Sequence, residues 1–169
     1  MKQRPRGARR LSHVSRDGGV RMVDVGAKPS TARRAVARAV LRMKPATLRT
    51  IVGRQTKKGD VLATAQIAGI QAAKNTPALI PLCHALSLSH VAVQFAPQRP
   101  DSILVRCEVR CTGQTGVEME ALVGAAVAAL TVYDMCKAID RDMSVEQLAL
   151  VEKHGGRTGS YVRGERHGA

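Results

Sequence analysis

Apolar and polar residues repeat with two different periods along this chain, and the longer period predicts helices. An apolar stripe with helical spacing runs through residues 32–43, behind Ser30 or Thr31 as a possible N-cap. Arginines follow at four-residue steps on another face of this segment: Arg34, Arg38 and Arg42. We therefore predict a first helix here, which Pro45 ends or bends.

Three more segments have helical patterns. Residues 46–52 predict a short helix, and the alanine-rich residues 61–74 predict a longer one that Asp60 can cap. Residues 75–81 then turn the chain. The longest helical signal covers residues 120–139 and is again rich in alanine.

The shorter period, in which apolar and polar residues alternate, predicts strands. It holds over residues 91–95 and 103–111, and the polar turn between them makes this pair an antiparallel hairpin. The second strand can continue past a bulge or turn into residues 117–119. A last strand is expected at residues 148–151, with a short return around residues 161–162.

These elements predict an α+β fold in which helices pack on one face of an antiparallel sheet. We expect a single domain over residues 22–163, between a basic, flexible tail at residues 1–21 and a short flexible tail at residues 164–169. No apolar run approaches the roughly 20 residues of a membrane span, and the basic N-terminus lacks the apolar core of a secretion signal. The expected location is cytoplasmic.

The charge of the chain first suggests a polyanionic partner. Its 27 Lys and Arg exceed its 13 Asp and Glu, for a formal net charge of +14. Residues 1–21 hold seven of these bases with one acid, and residues 153–169 hold four bases with one acid, so most of the excess lies at the ends. With three aromatic residues in the chain, a platform that stacks single-stranded bases is not expected.

Two of the four cysteines, Cys107 and Cys111, fall on the apolar face of one predicted strand. A single extended strand cannot wrap both thiols around one metal ion. We therefore expect small, buried, reduced side chains and no zinc site.

Two clusters of polar residues are candidates for substrate contact. Cys83 and His84 follow a proline-bounded turn, but neighbours on a strand point to opposite faces, which disfavours a thiolate paired with the next residue. Glu118 and Glu120 would share one face if extended and could accept from the N–H donors of a purine-like ring. If helical, they would lie apart and be solvated.

A third cluster, Asp134 with Lys137, has the spacing of an ordinary ion pair on a helix. Its functional alternative uses Lys137 as an acid or base whose pKa depends on burial and nearby charge. Four other basic residues could hold a phosphate-rich ligand or be solvated surface charges: Arg33, Lys58, Lys74 and Lys153. The glycines at residues 113–116 lack the lysine of a P-loop.

Six phrases, in consistent order within residues 20–163, carry a family resemblance. They are Met22-Val23-Asp24-Val25, Lys58-Gly59-Asp60-Val61, Ala68-Gly69-Ile70-Gln71-Ala72-Ala73-Lys74, Ile80-Pro81-Leu82-Cys83-His84, Thr115-Gly116-Val117-Glu118-Met119-Glu120-Ala121-Leu122 and Tyr133-Asp134-Met135-Cys136-Lys137-Ala138. Together they closely resemble the molybdenum cofactor biosynthesis protein C family.

The resemblance implies the activity of that family, a lyase that turns 3′,8-cyclo-7,8-dihydroguanosine 5′-triphosphate into cyclic pyranopterin monophosphate and releases diphosphate. It also implies a ferredoxin-like fold and a homohexamer, a trimer of dimers, with active sites at subunit interfaces. Periodicity alone predicts the α+β part. No cofactor is required on this reading, although Mg²⁺ could accompany the triphosphate. Neither a membrane nor nucleic acid is expected as a partner.

Position by position, the resemblance implies roles for individual residues. Substrate contacts fall at Leu82, Cys83, His84, Glu118, Met119 and Glu120. Asp134 matches the catalytic aspartate of the family, Lys137 its essential lysine, and Lys58 a further lysine of acid–base catalysis. Basic positions suited to the triphosphate are Arg33, Lys74 and Lys153. Ala85 departs from the proline of many relatives, which should alter the rigidity of the turn more than the chemistry.

Two other classes of function stay in view. A nucleic-acid-binding module would explain the basic ends of the chain, and a noncatalytic oligomeric scaffold would explain the alanine-rich helix. The scaffold leaves the carboxylate, histidine and lysine clusters without a purpose. Release of diphosphate from the cyclised guanosine triphosphate would separate all three readings.

Overall fold

A computed structural model describes residues 18–56, 59–157 and 159–164. Their elements, in chain order, are β1 (Thr31–Arg42), α1 (Pro45–Val52), α2 (Val61–Lys74), α3 (Thr76–Leu79), β2 (Leu88–Gln98), β3 (Ser102–Gly113), α4 (Glu118–Cys136), β4 (Ser144–His154) and β5 (Tyr161–Val162). The strands form one antiparallel sheet in the order β2-β3-β1-β4-β5. The predicted domain bounds, residues 22 and 163, stay predictions, because residues 1–17 and 165–169 lie outside these ranges.

The helices pack on one face of the sheet, which confirms the predicted α+β class with its ferredoxin-like arrangement. Glycines let α2 and α4 approach each other and the sheet closely. A Cβ atom added to Gly69 would lie 2.9 Å from the Gly124 carbonyl oxygen, and one added to Gly124 would lie 2.6 Å from the Cys107 sulfur. Since Gly124 also lies beside Ala73, the C-terminal end of α2 lies next to the N-terminal half of α4.

The helix predicted over residues 32–43 is wrong, because this segment is β1, in the centre of the sheet between β3 and β4. The four-residue spacing of Arg34, Arg38 and Arg42 fits one side of a helix, but an even spacing also fits one face of a strand. The alanines between them alternate onto the core face, and Val36 is fully buried on the other face. Pairing on both edges and burial of both faces override the helical propensity of alanine.

The other predicted elements are confirmed, with shifted ends. The hairpin is β2 and β3, and Asp60 caps α2 by accepting a 3.0 Å hydrogen bond from the Ala63 amide. The helix α3 lies within the predicted turn, and the last long strand, β4, extends beyond its predicted ends at both sides. The strand predicted at residues 117–119 is wrong, since α4 begins at Glu118.

Cys107 and Cys111 lie in the core, as predicted from their alternation. Burial raises the pKa of the Cys107 thiol to about 12, so it is uncharged and unreactive. The core helix α4 is long and apolar enough to cross a bilayer, but its inner side packs on the sheet and α2. Packing in the core accounts for the apolar residues on that side.

Candidate active site

A pocket of about 370 Å³ opens where β1 begins, β3 ends and α4 begins. Its wall contains all six residues that the resemblance implied for substrate contact: Leu82, Cys83, His84, Glu118, Met119 and Glu120. The remaining lining residues are Val23, Val25, Lys28, Leu86, Thr115 and Gly116. Three separate parts of the chain therefore build one concave surface.

Two polar side chains hold the segment before β1 against this pocket. The Nε2 of His84 lies 2.8 Å from the Val23 carbonyl oxygen, and because a carbonyl accepts, this nitrogen carries a proton. The Nε2 of Gln114 donates to the carbonyl oxygens of Gly26 and Lys28, at 3.0 and 3.1 Å. These bonds place Lys28 in the pocket wall, a cation that reasoning from the sequence missed because it precedes every predicted element.

Glu120 is a buried carboxylate in the pocket wall, with 3% of its surface exposed. It lies in the first turn of α4, and the described residues place no ion pair on it. Burial raises its pKa, and the neighbouring Glu118 adds to the effect. The prediction that a helical Glu120 would be merely solvated is wrong, because the pocket wall covers this turn.

Cys83 is half-buried beside this carboxylate. Burial, and then the charge of Glu120, raise the pKa of the Cys83 thiol. The thiol is therefore held in its uncharged form, which agrees with the expectation that it is not a nucleophile.

Glu118 connects α4 to the end of β4 through an ion pair. Its Oε1 lies 3.3 Å from the Nζ of Lys153, and its carboxylate covers Gly116 so closely that any side chain there would overlap it. The sheet thus places Lys153 next to a carboxylate that lines the pocket.

Arg33 supports the loop between β3 and α4. Its Nε donates to the Gly113 carbonyl at 3.1 Å, and its Nη2 donates to the Gln114 carbonyl at 3.3 Å. The guanidinium also packs on Gly156, whose φ of +76° and lack of a Cβ leave it room. Two of its donor groups are used within the chain, so its predicted contact with a triphosphate stays a prediction.

Lys74 ends α2, next to Ala73, which packs beside Gly124 in the N-terminal half of α4. Its side chain is exposed and is absent from the pocket wall. A cation in the last turn of a helix is also favoured by the helix dipole, so its position has a structural reason beside the predicted one.

Asp134 and Lys137 lie at the opposite end of α4. Their Oδ1 and Nζ atoms are 2.7 Å apart on the exposed surface, and the hydrogen bond to Asp134 raises the pKa of the Lys137 ammonium. Glu118 and Asp134 are 16 residues apart in one continuous helix, a distance of about 24 Å at 1.5 Å per residue. Within one chain, this pair therefore lies far from the pocket. The predicted Lys58 lies outside the described residues.

The profile of the MoaC family matches residues 22–156, a span that includes the pocket and both ends of α4. The chain belongs to this family. The resemblance that the six phrases predicted is confirmed, and the matched span includes every candidate residue.

Three curated relatives of this MoaC family chain are named as the same enzyme. The cyclic pyranopterin monophosphate synthase of Chloroflexus aggregans is 55% identical over 156 residues, which cover 92% of this chain and 94% of that protein. The protein of that name from Roseiflexus sp. is 56% identical and covers 90% of this chain and 97% of its own length. Cyclic pyranopterin monophosphate synthase 1 of Mycobacterium bovis is 53% identical, with 90% of both chains covered.

Among the residues that the structure describes, no metal site is evident near the pocket. Within residues 18–56, 59–157 and 159–164, no three His, Cys, Asp or Glu side chains are grouped as metal ligands. The donor set that the structure describes therefore offers no built position for a resident metal ion.

Proposed function

We propose that this chain is a lyase of molybdenum cofactor biosynthesis that converts 3′,8-cyclo-7,8-dihydroguanosine 5′-triphosphate into cyclic pyranopterin monophosphate with release of diphosphate. The observation that carries the proposal is the identity of about 55% over nine-tenths of the chain to proteins named for this synthase. The pocket supports it, because the segments that line it are those of the family resemblance.

The pocket suits a ligand with an N–H-rich ring and a strongly anionic tail. Glu118 and Glu120 offer carboxylate oxygens to the ring, and Lys28 places positive charge on the same wall. Lys153, which pairs with Glu118 at 3.3 Å, adds a cation beside that wall. Arg33 and Lys74 are the further cations that we assign to the triphosphate side. Negative charge grows on the leaving oxygens as diphosphate departs. Cations fixed in position stabilise this charge and so lower the activation barrier of the step.

Ring rearrangement also moves protons, and we assign this work to Lys137 and Lys58. Asp134 orients the Lys137 ammonium, which gives a proton to the ring system and later takes one back. In the single chain, this ion pair raises the pKa of Lys137 and keeps it protonated. Because Lys137 lies far from the pocket of its own chain, the reaction needs an assembly. We assign the homohexamer of the family, a trimer of dimers, with sites between subunits.

The proposed function also includes the location of the enzyme and its cofactor requirement. The enzyme works in the cytoplasm and requires no cofactor of its own, although Mg²⁺ can accompany the triphosphate. Its relatives are bacterial proteins whose names describe a biosynthetic enzyme, which supports this location.

Diphosphate release from the cyclised guanosine triphosphate tests the proposal. We expect the purified chain to release diphosphate and form the cyclic phosphate, and Lys137→Ala to lower the rate at least about 100-fold. Lys44→Ala is the control, since Lys44 is also exposed and pairs with Asp142 at 2.8 Å and with the buried Asp140 at 3.5 Å, away from the pocket. A wild-type chain that releases no diphosphate, or a fully active Lys137→Ala, would contradict the proposal.

The nucleic-acid alternative makes a different prediction for the same assay. Deleting residues 1–21 removes seven bases, so a nucleic-acid-binding module would lose its main activity. A synthase would keep its rate of diphosphate release after this deletion.

A further inference from the structure

A turn just before β1, residues 24–28, brings Lys28 to the pocket wall, and we name it the lysine turn. The Lys28 amide donates to the Val25 carbonyl oxygen at 2.9 Å, and the Gly26 amide donates to the Asp24 carboxylate at 2.8 Å. Both bonds are local, so they shape the turn but do not connect it to the sheet. A contact from another part of the chain is needed to hold it at the pocket.

The side chain of Gln114 supplies such a contact. Its Nε2 donates to the Gly26 carbonyl oxygen at 3.0 Å and to the Lys28 carbonyl oxygen at 3.1 Å. A primary amide has two N–H donors, and both are used here on carbonyl oxygens, which only accept. These carbonyls belong to the residues on either side of Ala27, so one side chain holds the half of the lysine turn that leads into Lys28.

The main chain of Gln114 is held separately from its side chain. Residue 114 directly follows β3, whose last residue, Gly113, pairs with Thr31 of β1. The Arg33 guanidinium donates to the carbonyl oxygens of Gly113 and Gln114, at 3.1 and 3.3 Å. A change of the Gln114 side chain therefore leaves its loop supported and removes only the contact with the lysine turn.

We propose that Gln114 is a positioning residue for substrate binding, which holds the lysine turn so that the Lys28 ammonium meets the anionic tail of the substrate. The inference rests on the proposed function and deepens it. Gln114 directly precedes the fifth family phrase, so the resemblance assigns it no role. It is not among the described residues that line the pocket, so it acts through Lys28.

The strength of the two hydrogen bonds sets the size of the effect. A hydrogen bond of this kind changes an equilibrium by a factor of about 2 to 10. Without the two bonds, the lysine turn populates other positions, and fewer molecules hold Lys28 at the pocket. The apparent affinity for the substrate falls by the same fraction. Once the substrate is bound, Lys28 is in place, so the loss should affect KM more than kcat.

Gln114→Leu tests this assignment, because leucine is similar in size and has no donor. We expect KM for the cyclised guanosine triphosphate to rise about fivefold while kcat stays within about twofold of the wild type. Gln114→Lys, whose ammonium offers three N–H donors to the same two carbonyls, should restore the wild-type KM. Gln94→Leu, the same change at an exposed glutamine of β2, should leave both constants unchanged.

Lys28→Met separates positioning from a general structural role. If Gln114 acts through Lys28, the rise in KM caused by Gln114→Leu should vanish in a chain that already carries Lys28→Met. A merely structural Gln114 would raise KM by the same factor with and without Lys28. That result, or a wild-type KM in Gln114→Leu, would overturn the inference. Gln114→Ala gives the same test if leucine disturbs the loop.

Amide hydrogen exchange reports the lysine turn without any assay of activity. Gln114→Leu should speed exchange at the Gly26 and Lys28 amides at least about threefold, Gln114→Lys should restore the wild-type rates, and Gln94→Leu should not change them. A wild-type chain without diphosphate release would contradict the proposed function, while exchange would still show whether Gln114 holds the turn. An active wild type, with unchanged exchange and unchanged KM in Gln114→Leu, would contradict the inference alone.

Discussion

The face of the sheet that the helices leave uncovered, here called the open face, contains one buried glutamate, and the pocket contains another. Their surroundings shift the two carboxyl pKa values in opposite directions. On the open face, Glu108 is 9% exposed and bonds to Arg34 at 2.8 Å and to Arg110 at 2.6 Å. Hydrogen bonds from these arginines lower the pKa of Glu108 to about 2, and the bond from Arg34 has the largest effect. In the pocket, burial raises the pKa of Glu120, and the described residues supply no ion pair for it.

This difference separates a structural carboxylate from one available to a ligand. The charge of Glu108 is compensated within the chain, so it contributes to the stability of the sheet. Within the described part of the chain, Glu120 has a backbone hydrogen bond but no ion pair, so a bound ligand or another subunit can supply the opposing charge. A buried group that costs stability in the free protein is typical of a functional site.

Glu120→Gln should have the largest effect, and it should move activity and stability in opposite directions. We expect product formation to fall at least about 100-fold, because an acceptor for the ring N–H groups is lost. At neutral pH the variant should be more stable than the wild type, because a desolvated charge is removed. Urea unfolding and the diphosphate assay measure the two effects.

The pH dependence of the unfolding free energy tests the sign of the stability change in Glu120→Gln. The folded pKa of Glu120 is raised, so its penalty is present at neutral pH and disappears as pH falls below the unfolded pKa. The stability gain of Glu120→Gln should shrink in the same way. Glu146→Gln, which removes a half-exposed carboxylate near Arg42, should show neither effect. A loss of stability in Glu120→Gln at neutral pH would contradict this comparison.

Glu108→Gln should have the second largest effect, and on stability alone. Removing the carboxylate leaves the half-buried Arg34 with Glu152 as its remaining partner and takes the ion pair from the exposed Arg110, at a cost of about 1.5 kcal/mol of unfolding free energy. Because the folded pKa of Glu108 is depressed to about 2, this stabilisation is present above the unfolded pKa and is lost as pH falls toward 2. Activity per folded molecule should stay unchanged. A stable but inactive Glu108→Gln would show that the open face takes part in the reaction.

The contrast between these glutamates also shows where reasoning from sequence succeeds. Alternation predicted β2 and β3, and with them the side of the sheet that each residue faces. It failed for β1, because a spacing of four between arginines fits both a helix and a strand. Sequence reasoning also failed for Glu120. Residues near position 23 and the turn around His84 line the pocket around it, and no local pattern encodes such distant packing.

The division of the site follows from the length of one helix. Once α4 is recognised as continuous, the 16 residues between Glu118 and Asp134 exclude a site within one chain. Family phrases identify both groups of residues but contain no distance between them. The structure therefore adds the geometry that the motifs lack.

A smaller effect is expected at the turn that supports Arg33. Gly156→Ala forces a side chain into the left-handed region and onto the guanidinium of Arg33, whereas Gly159→Ala meets the same backbone strain with no atom within 4 Å. We expect Gly159→Ala to cost about 1 kcal/mol and to keep activity. Gly156→Ala should cost more and also slow product formation, because Arg33 holds the loop before α4. Equal stability and equal activity of the two variants would show that Arg33 does not support the site.

Mixing two inactive variants tests the central claim that each site needs two copies. Lys137→Ala keeps an intact pocket, and Glu120→Gln keeps an intact Asp134 and Lys137. If the chains are unfolded and refolded together in equal amounts, half of the pairs are mixed, and each mixed pair contains one complete site. The account predicts that about a quarter of the wild-type rate of diphosphate release returns. A mixture no more active than its two parents would contradict it.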